Sequence, residues 1–262
     1  MESIGRAFGQ QQHQDSAVAS PQIPKADLVS LENIQYTQTR TVTLSRELLR
    51  RQRVIAGYSP CAFVDAYKIL RTRVLHKMRE QGWNTLAITS PGPGCGKSLT
   101  AINLALSIAL EAHQTALLAD ANLRDPTIHR YLGIDPVAGL SDHLMDNVPI
   151  SKILINPKGI GRFVILPGKR PVFNSSELVA SPKMAQLVKE LKQRYSSRFV
   201  IFDLPHLGTA DALSFTPYVD AVVLVVEEGK TTQDELSQAI AALQDTALVG
   251  LVLNKAENGS VE

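Results

Sequence analysis

Between residues 84 and 254 the chain alternates two hydrophobic rhythms. Short apolar runs fall at 84–89, 115–120, 162–167, 198–203, 220–227 and 247–254. Each has the length of a strand, and Ala221-Val222-Val223-Leu224-Val225-Val226 has no polar face at all, as expected of a strand covered on both sides. Amphipathic stretches at about 97–113, 138–146, 182–195, 208–216 and 231–244 lie between the runs and predict helices. Strand–helix alternation with short connections predicts an α/β fold, a mostly parallel sheet covered by helices on both faces. Ligands of such sheets bind beyond the carboxyl ends of the strands.

Upstream the rhythm changes. Phe63, Ala66, Leu70, Val74 and Met78 recur at helical spacing, which predicts one long helix starting at Ser59 or Pro60 and stopping at Gly82. The basic piece Ser45 to Arg53 predicts a further helix, either a contact for an acidic partner or lipid surface or a solvated face. Residues 1–40 are rich in Gln, Ser, Ala and Pro and have little to bury, so they are expected to form a disordered tail. The expected organisation is this tail, a helical extension at 41–82 that includes a possible oligomerisation helix, one domain at 83–255 and a short tail at 256–262. No internal repeat is present.

Bulk properties narrow the functional classes. The chain has 262 residues, 44% hydrophobic and 20% charged, as in a soluble globular protein. A net charge of +2 gives no argument for nucleic acid. Cys61 and Cys95 lack metal-site spacing, and a reduced, cytoplasmic setting is expected. No apolar run approaches the roughly 18 residues of a membrane span. Nor does Met1-Glu2-Ser3-Ile4-Gly5-Arg6 have the plan of a signal peptide. Any link to a membrane is therefore expected to run through a partner.

Chemistry enters at Ser90-Pro91-Gly92-Pro93-Gly94-Cys95-Gly96-Lys97-Ser98, between a predicted strand and a predicted helix. This is the context of a phosphate loop, in which backbone N–H groups face the α- and β-phosphates and the helix N-terminus adds its dipole. The fold is then a P-loop NTPase. Lys97 is expected to reach the β- and γ-phosphates and Ser98 to ligate Mg2+, with Gly92, Gly94, Cys95, Gly96 and Leu99 completing the nucleotide-binding set. Pro91 stands where the usual first glycine would be, and Gly92 and Gly94 are expected to supply the flexibility. Two carboxylates complete the site. Asp120 and Asp203 each follow an apolar strand and should emerge at its ligand end. Asp203 reads as the Walker B carboxylate that holds the metal. Asp120 is placed to orient or deprotonate a nucleophile.

Three phrases together resemble the Walker A, A′ and B set of bacterial tyrosine kinases, the BY-kinases of the CpsD/CapB/Wzc type. They are Gly94 to Ser98 with Asn103-Leu104-Ala105, then Leu117 to Pro126, then Ile201-Phe202-Asp203-Leu204-Pro205. The resemblance continues through Asn174 to Ser181 and Asp220 to Val226, and ends with Gly250 to Asn254, covering about residues 60 to 255. Within the family it is nearest to the exosortase-associated exopolysaccharide autokinases. The resemblance implies an ATP- and Mg2+-dependent enzyme that phosphorylates tyrosines, usually on copies of itself, with weak ATPase activity. It also implies regulation of exopolysaccharide synthesis or export and a membrane chain-length (co-polymerase) activator. The place in the cell would be the cytoplasm, at the inner membrane through that partner.

Carried over by position, Lys97, Asp120 and Asp203 are the catalytic residues and Ser98, Asp120 and Asp203 the metal-side groups. Asn254 would sit at the adenine edge, and Arg124 either steadies phosphate charge or forms a structural ion pair. Asp65, Lys68 and Arg71 are a softened form of the family's ring-forming helix motif, spaced to face a neighbouring subunit in a ring or dimer. The chain also departs from the family pattern. Asn122 replaces the second carboxylate of the A′ motif, His206 replaces a proline after Asp203, and the C-terminal tail has no tyrosine. The candidate phospho-acceptor is therefore Tyr36, with Tyr58 the other tyrosine expected in a flexible segment. Asn122 and the tyrosine-free tail leave open an ATP-binding switch or ATPase without kinase activity. A MinD/ParA-type ATPase shares the sheet, but its extra lysine is missing at Ser90, Pro91 and Gly92.

Overall fold

The computed structural model describes residues 39–111, 114–193, 198–243 and 245–256. The predicted N-terminal tail with Tyr36, and residues 257–262, lie outside them apart from Thr39 and Arg40. The chain opens with strand β1 (Arg40–Val42), helix α1 (Arg46–Arg51) and the long helix α2 (Ala62–Gln81). Then come β2 (Thr85–Thr89), α3 (Lys97–Ala109) and β3 (Thr115–Asp120). Short elements follow: α4 (Ile128–Leu132), α5 (Leu140–Asp146), α6 (Ile150–Ile153), β4 (Ile155–Pro157), β5 (Phe163–Leu166) and α7 (Ser175–Val179). The last part contains α8 (Pro182–Gln193), β6 (Arg198–Asp203), α9 (Ala210–Phe215), β7 (Ala221–Glu227), α10 (Gln233–Ala242) and β8 (Ala247–Asn254).

The strands form one sheet in the order β1-β4-β5-β3-β6-β2-β7-β8, parallel except where β4 meets β5. Alternate residues of each central strand serve opposite faces, because successive side chains of a strand point to opposite sides. Leu86 and Ile88 of β2 join Leu118, Ile201 and Val223 in a core under α2 and α3. Ala87 joins Leu117, Val200, Phe202 and Val222 in a second core under α5, α8 and α9. This two-sided cover is why the runs read as uniformly apolar. The strands the periodicity did not predict, β1 and β4, are three residues each, too short to carry a period.

Residues 41–82, read from the sequence as an extension, share the first core. Leu49, Val54, Ile55, Val74, Leu75 and Met78 are all buried within it, and β1 begins at Arg40, inside the stretch expected as tail. Helix α2 ends where predicted, on Gly82 in a left-handed conformation (φ 69°), with the Trp83 N–H bonded to the Met78 carbonyl at 2.8 Å. Its buried face runs through Tyr67, Val74, Leu75 and Met78, while Ala66, expected on that face, is exposed. Tyr67 is buried instead, its ring packed edge-on against Phe63 with centroids 5.4 Å apart.

A polar seam on α3 holds this segment in place. The buried Asn103 side chain accepts the Ile55 N–H at 2.9 Å and donates to the Arg53 carbonyl at 3.0 Å. Arg71 donates to the Ser107 carbonyl at 3.0 Å and pairs with Glu111 at 3.1 Å. This corrects the expectation of an outward stripe of Asp65, Lys68 and Arg71. Asp65 and Lys68 are exposed and pair with each other at 2.8 Å, whereas Arg71 folds back onto α3 because Glu111 and a carbonyl lie within its reach.

Candidate active site

The sequence from Ser90 to Ser98 links β2 to α3 at the carboxyl edge of the sheet. Gly94 and Gly96 have φ values of 80° and 91°, left-handed backbone that favours glycine. Gly92 does not need to be glycine: its φ is not in that region and an added Cβ would meet nothing within 4 Å. The loop's shape comes from Gly94 and Gly96 and from side chains that fold onto it. Ser90 Oγ donates to the Gly92 carbonyl at 2.6 Å, and Cys95 Sγ to the same carbonyl at 3.4 Å. The Asn254 amide donates to the Cys95 carbonyl at 2.8 Å, and a Cβ on Gly96 would lie 2.0 Å from its nitrogen. Asn254 therefore closes one wall of the loop from the end of β8. Lys97 and Ser98 begin α3, Ser98 is buried, and Leu99 packs against the first core.

Asp120 and Asp203 end β3 and β6 and are register partners on adjacent parallel strands, whose backbones lie about 4.8 Å apart. Both are fully buried. Asp120 Oδ2 accepts the Ile128 N–H at 3.0 Å, but Asp120 Oδ1 and both Asp203 oxygens have no hydrogen-bond partner among the described residues. Burial and then the charge of Asp203 push the Asp120 carboxyl well above its usual range. Burial pushes Asp203 up to about 6, although Lys97 and Ser98 favour its charged form. Buried oxygens without partners are costly unless a ligand satisfies them. Two carboxylates and a hydroxyl beside a phosphate-binding loop fit Mg2+, which keeps several waters and shares its shell with phosphate oxygens.

Arg124 pairs with the buried Asp211 at 3.1 Å, so the ion-pair alternative is the geometry present. Asp211 Oδ2 stays buried without a partner. Asn122 braces its own turn, donating to the Asp125 carbonyl at 2.9 Å. Half-buried His206 follows Asp203 on the same rim. Burial, Lys97 and Arg124 all hold its pKa below the usual histidine value. Sequence reasoning missed Lys230, whose Nζ lies 3.8 Å from the point a Cβ on Gly94 would occupy. The Glu228-Gly229-Lys230 turn that carries it matches no motif, and only the adjacency of β7 to β2 brings it here.

Of the tyrosines, Tyr58 is fixed by a hydrogen bond to the Arg50 carbonyl at 3.0 Å, which corrects the expectation that it is free to enter another subunit's site. Tyr67 is buried and Tyr131 packs against the first core. Tyr36, the predicted acceptor, lies outside the described residues.

No family model matches the chain. The tyrosine-protein kinase YwqD of Bacillus subtilis is 32% identical over 193 residues, which cover 72% of this chain and 80% of YwqD. EpsB of Ralstonia solanacearum is 32% identical over 194 residues, 73% of this chain but 25% of EpsB, so the chain spans about a quarter of that relative. Among solved structures, the kinase domain of the Escherichia coli tyrosine kinase ETK superposes with a TM-score of 0.70 at 27% identity, covering 85% of this chain and 91% of that one. The chimerical protein CapA2B2 gives 0.71 at 26% identity, covering 83% and 93%.

Proposed function

The chain belongs to the bacterial tyrosine-protein kinase family, and on that premise we propose that it is an ATP- and Mg2+-dependent protein-tyrosine kinase acting in exopolysaccharide assembly. The observation that carries this reading is the pair Asp120 and Asp203, buried side by side with three unpartnered oxygens at the mouth of a phosphate loop. Lys97 holds the β- and γ-phosphates as a point charge, and the loop's N–H groups orient them for in-line attack. Ser98 and Asp203 hold the metal side, directly or through water. Bound Mg2+ supplies the positive charge that lets both carboxylates ionise and that offsets charge on the phosphate oxygens. With that charge in place the ionised Asp120, which its surroundings make more basic than an ordinary carboxylate, would accept the proton of the attacking tyrosine hydroxyl. Asn254 forms the adenine-side wall. The acceptor within this chain is Tyr36. A membrane chain-length protein is the activating partner, and Asp65 and Lys68 are the charges of α2 available to a neighbouring copy.

A second reading is a nucleotide-dependent switch without kinase activity. Asn122 favours it, since an amide engaged in its own turn brings no second negative charge to the site. Incubating the protein with ATP and Mg2+ and mapping phosphotyrosine by mass spectrometry separates the two. Phosphotyrosine that is abolished in both Lys97→Ala and Asp120→Ala supports the kinase. Intact ATP binding with no phosphotyrosine, with and without the partner, supports the switch. Undiminished labelling in Tyr36→Phe removes Tyr36 as the acceptor.

A further inference from the structure

The turn after β7 reaches the phosphate loop from the opposite side to Asp120 and Asp203. Its backbone is fixed at both ends. Thr231 Oγ1 accepts the Glu227 N–H at 2.9 Å and lies 3.9 Å from Cys95 Sγ. Thr232 begins α10 in a reciprocal cap with Glu235. Gly229, at φ 68°, turns the chain back between them, so that Lys230 projects beside Gly94.

The ammonium of Lys230 has a loose partner. It lies 3.4 Å from Glu227, and its side chain is 65% exposed. Glu227 is held more closely by Lys255, at 2.9 Å, and would keep that partner if Lys230 left. An exposed pair of this kind adds little stability. A charge-assisted contact to a phosphate oxygen is the stronger interaction. The tie at Asn254 and the contact at Thr231 hold this wall against Cys95, one residue from Gly94, so the reach is short.

We propose that Lys230 is a second cationic contact for the nucleotide polyphosphate, moving from Glu227 across Gly94 when the nucleotide is bound. The inference rests on the reading of the site as an ATP site. Lys97 would hold the phosphates from the start of α3, and Lys230 would close over them from the β7 side.

The test is the affinity for ATP and ADP with Mg2+, measured by titration calorimetry on the full chain, together with the melting temperature of the nucleotide-free protein. Lys230→Ala is expected to weaken both nucleotides about ten-fold, with no change in melting temperature. Lys230→Arg is expected to bind within about two-fold of the original, because charge and reach are kept. Unchanged affinity in Lys230→Ala, an equal loss in Lys230→Arg, or a fall in melting temperature that accompanies the loss would each overturn the inference while leaving the ATP site intact. Lys97→Ala is the separate control. If it binds ATP as well as the original chain, or if neither binds, the ATP reading fails and the inference with it.

Discussion

Acidic side chains at the two ends of one sheet live in opposite circumstances. At the amino edge, Asp220 stands just before β7 and its carboxylate is saturated. Oδ2 accepts the N–H groups of Asn84 and Thr85, each at 3.1 Å, and the Thr85 hydroxyl at 2.7 Å, while Oδ1 pairs with Lys192. Burial alone would raise its pKa, but Lys192, Thr85 and the two N–H groups hold it below the usual carboxylate value. At the carboxyl edge, Asp120 and Asp203 are more deeply buried, face each other and keep three oxygens without a partner. The same residue type thus ties down β2, β7 and α8 at one end and stores electrostatic cost at the other. Natural chains tolerate such a cost where a ligand relieves it. The contrast therefore locates the working edge of the sheet without reference to any motif.

Neutralising each end breaks the comparison in opposite directions. Asp203→Asn is expected to lower phosphotyrosine formation at least about 100-fold, since it removes a charge held for the metal. It should also raise the melting temperature of the nucleotide-free protein, because a charge that burial disfavours more than Lys97 and Ser98 offset is lost. Asp220→Ala is expected to do the reverse. It leaves the Asn84 and Thr85 N–H groups and Lys192 without their acceptor, costing about 2 kcal/mol of stability, and leaves the ratio of activity to folded protein unchanged. Thermal unfolding alongside a phosphotyrosine assay tests both.

The pH dependence sharpens the contrast. Asp203 is raised to about 6, so its contribution to stability is fully present below the ordinary carboxylate range and is lost as pH rises through about 6. Asp220 is lowered, so its contribution is present above that range and is lost as pH falls through its folded value. The contribution of Asp203 to the nucleotide-free protein is therefore expected to be larger near pH 5 than near pH 7.5. Asp203→Asn should flatten that slope, as unfolding midpoints at the two pH values will show.

The smallest effect belongs to the intermediate case. Asp211 has one oxygen on Arg124 and one without a partner. Asp211→Asn is expected to change stability by less than about 1 kcal/mol and to lower phosphotyrosine formation a few-fold by loosening Arg124. A loss as large as that of Asp203→Asn would place Asp211 among the groups that touch the nucleotide.

Legibility in the sequence followed length and burial. Strands β2, β3, β5, β6 and β7 were readable because each is buried along its length and so reads as an apolar run. Strand β8, half-exposed at the sheet edge, was readable because its eight residues are still mostly apolar. Asp120 and Asp203 were readable because each closes such a run. The arrangement of β1 and β4 was not, since three-residue strands carry no period, and neither was the antiparallel turn of β4. Arg71 followed the spacing of a subunit contact, but which charges a helix keeps exposed depends on Glu111 and Ser107 of a different helix. Lys230 was silent for a related reason. Its place beside Gly94 comes from strand order, and strand order is written in no local stretch of the chain.

Asn103 also settles where a working fragment can be cut. A fragment starting at Trp83 would retain every motif residue from Ser90 onward. It would also uncover the greasy flank of α3 and leave the Asn103 carboxamide with neither Ile55 nor Arg53 to bind. Such a truncation should be poorly soluble and open to proteases, however complete its chemistry. A portable unit must include β1 from Arg40, well upstream of the first recognisable motif.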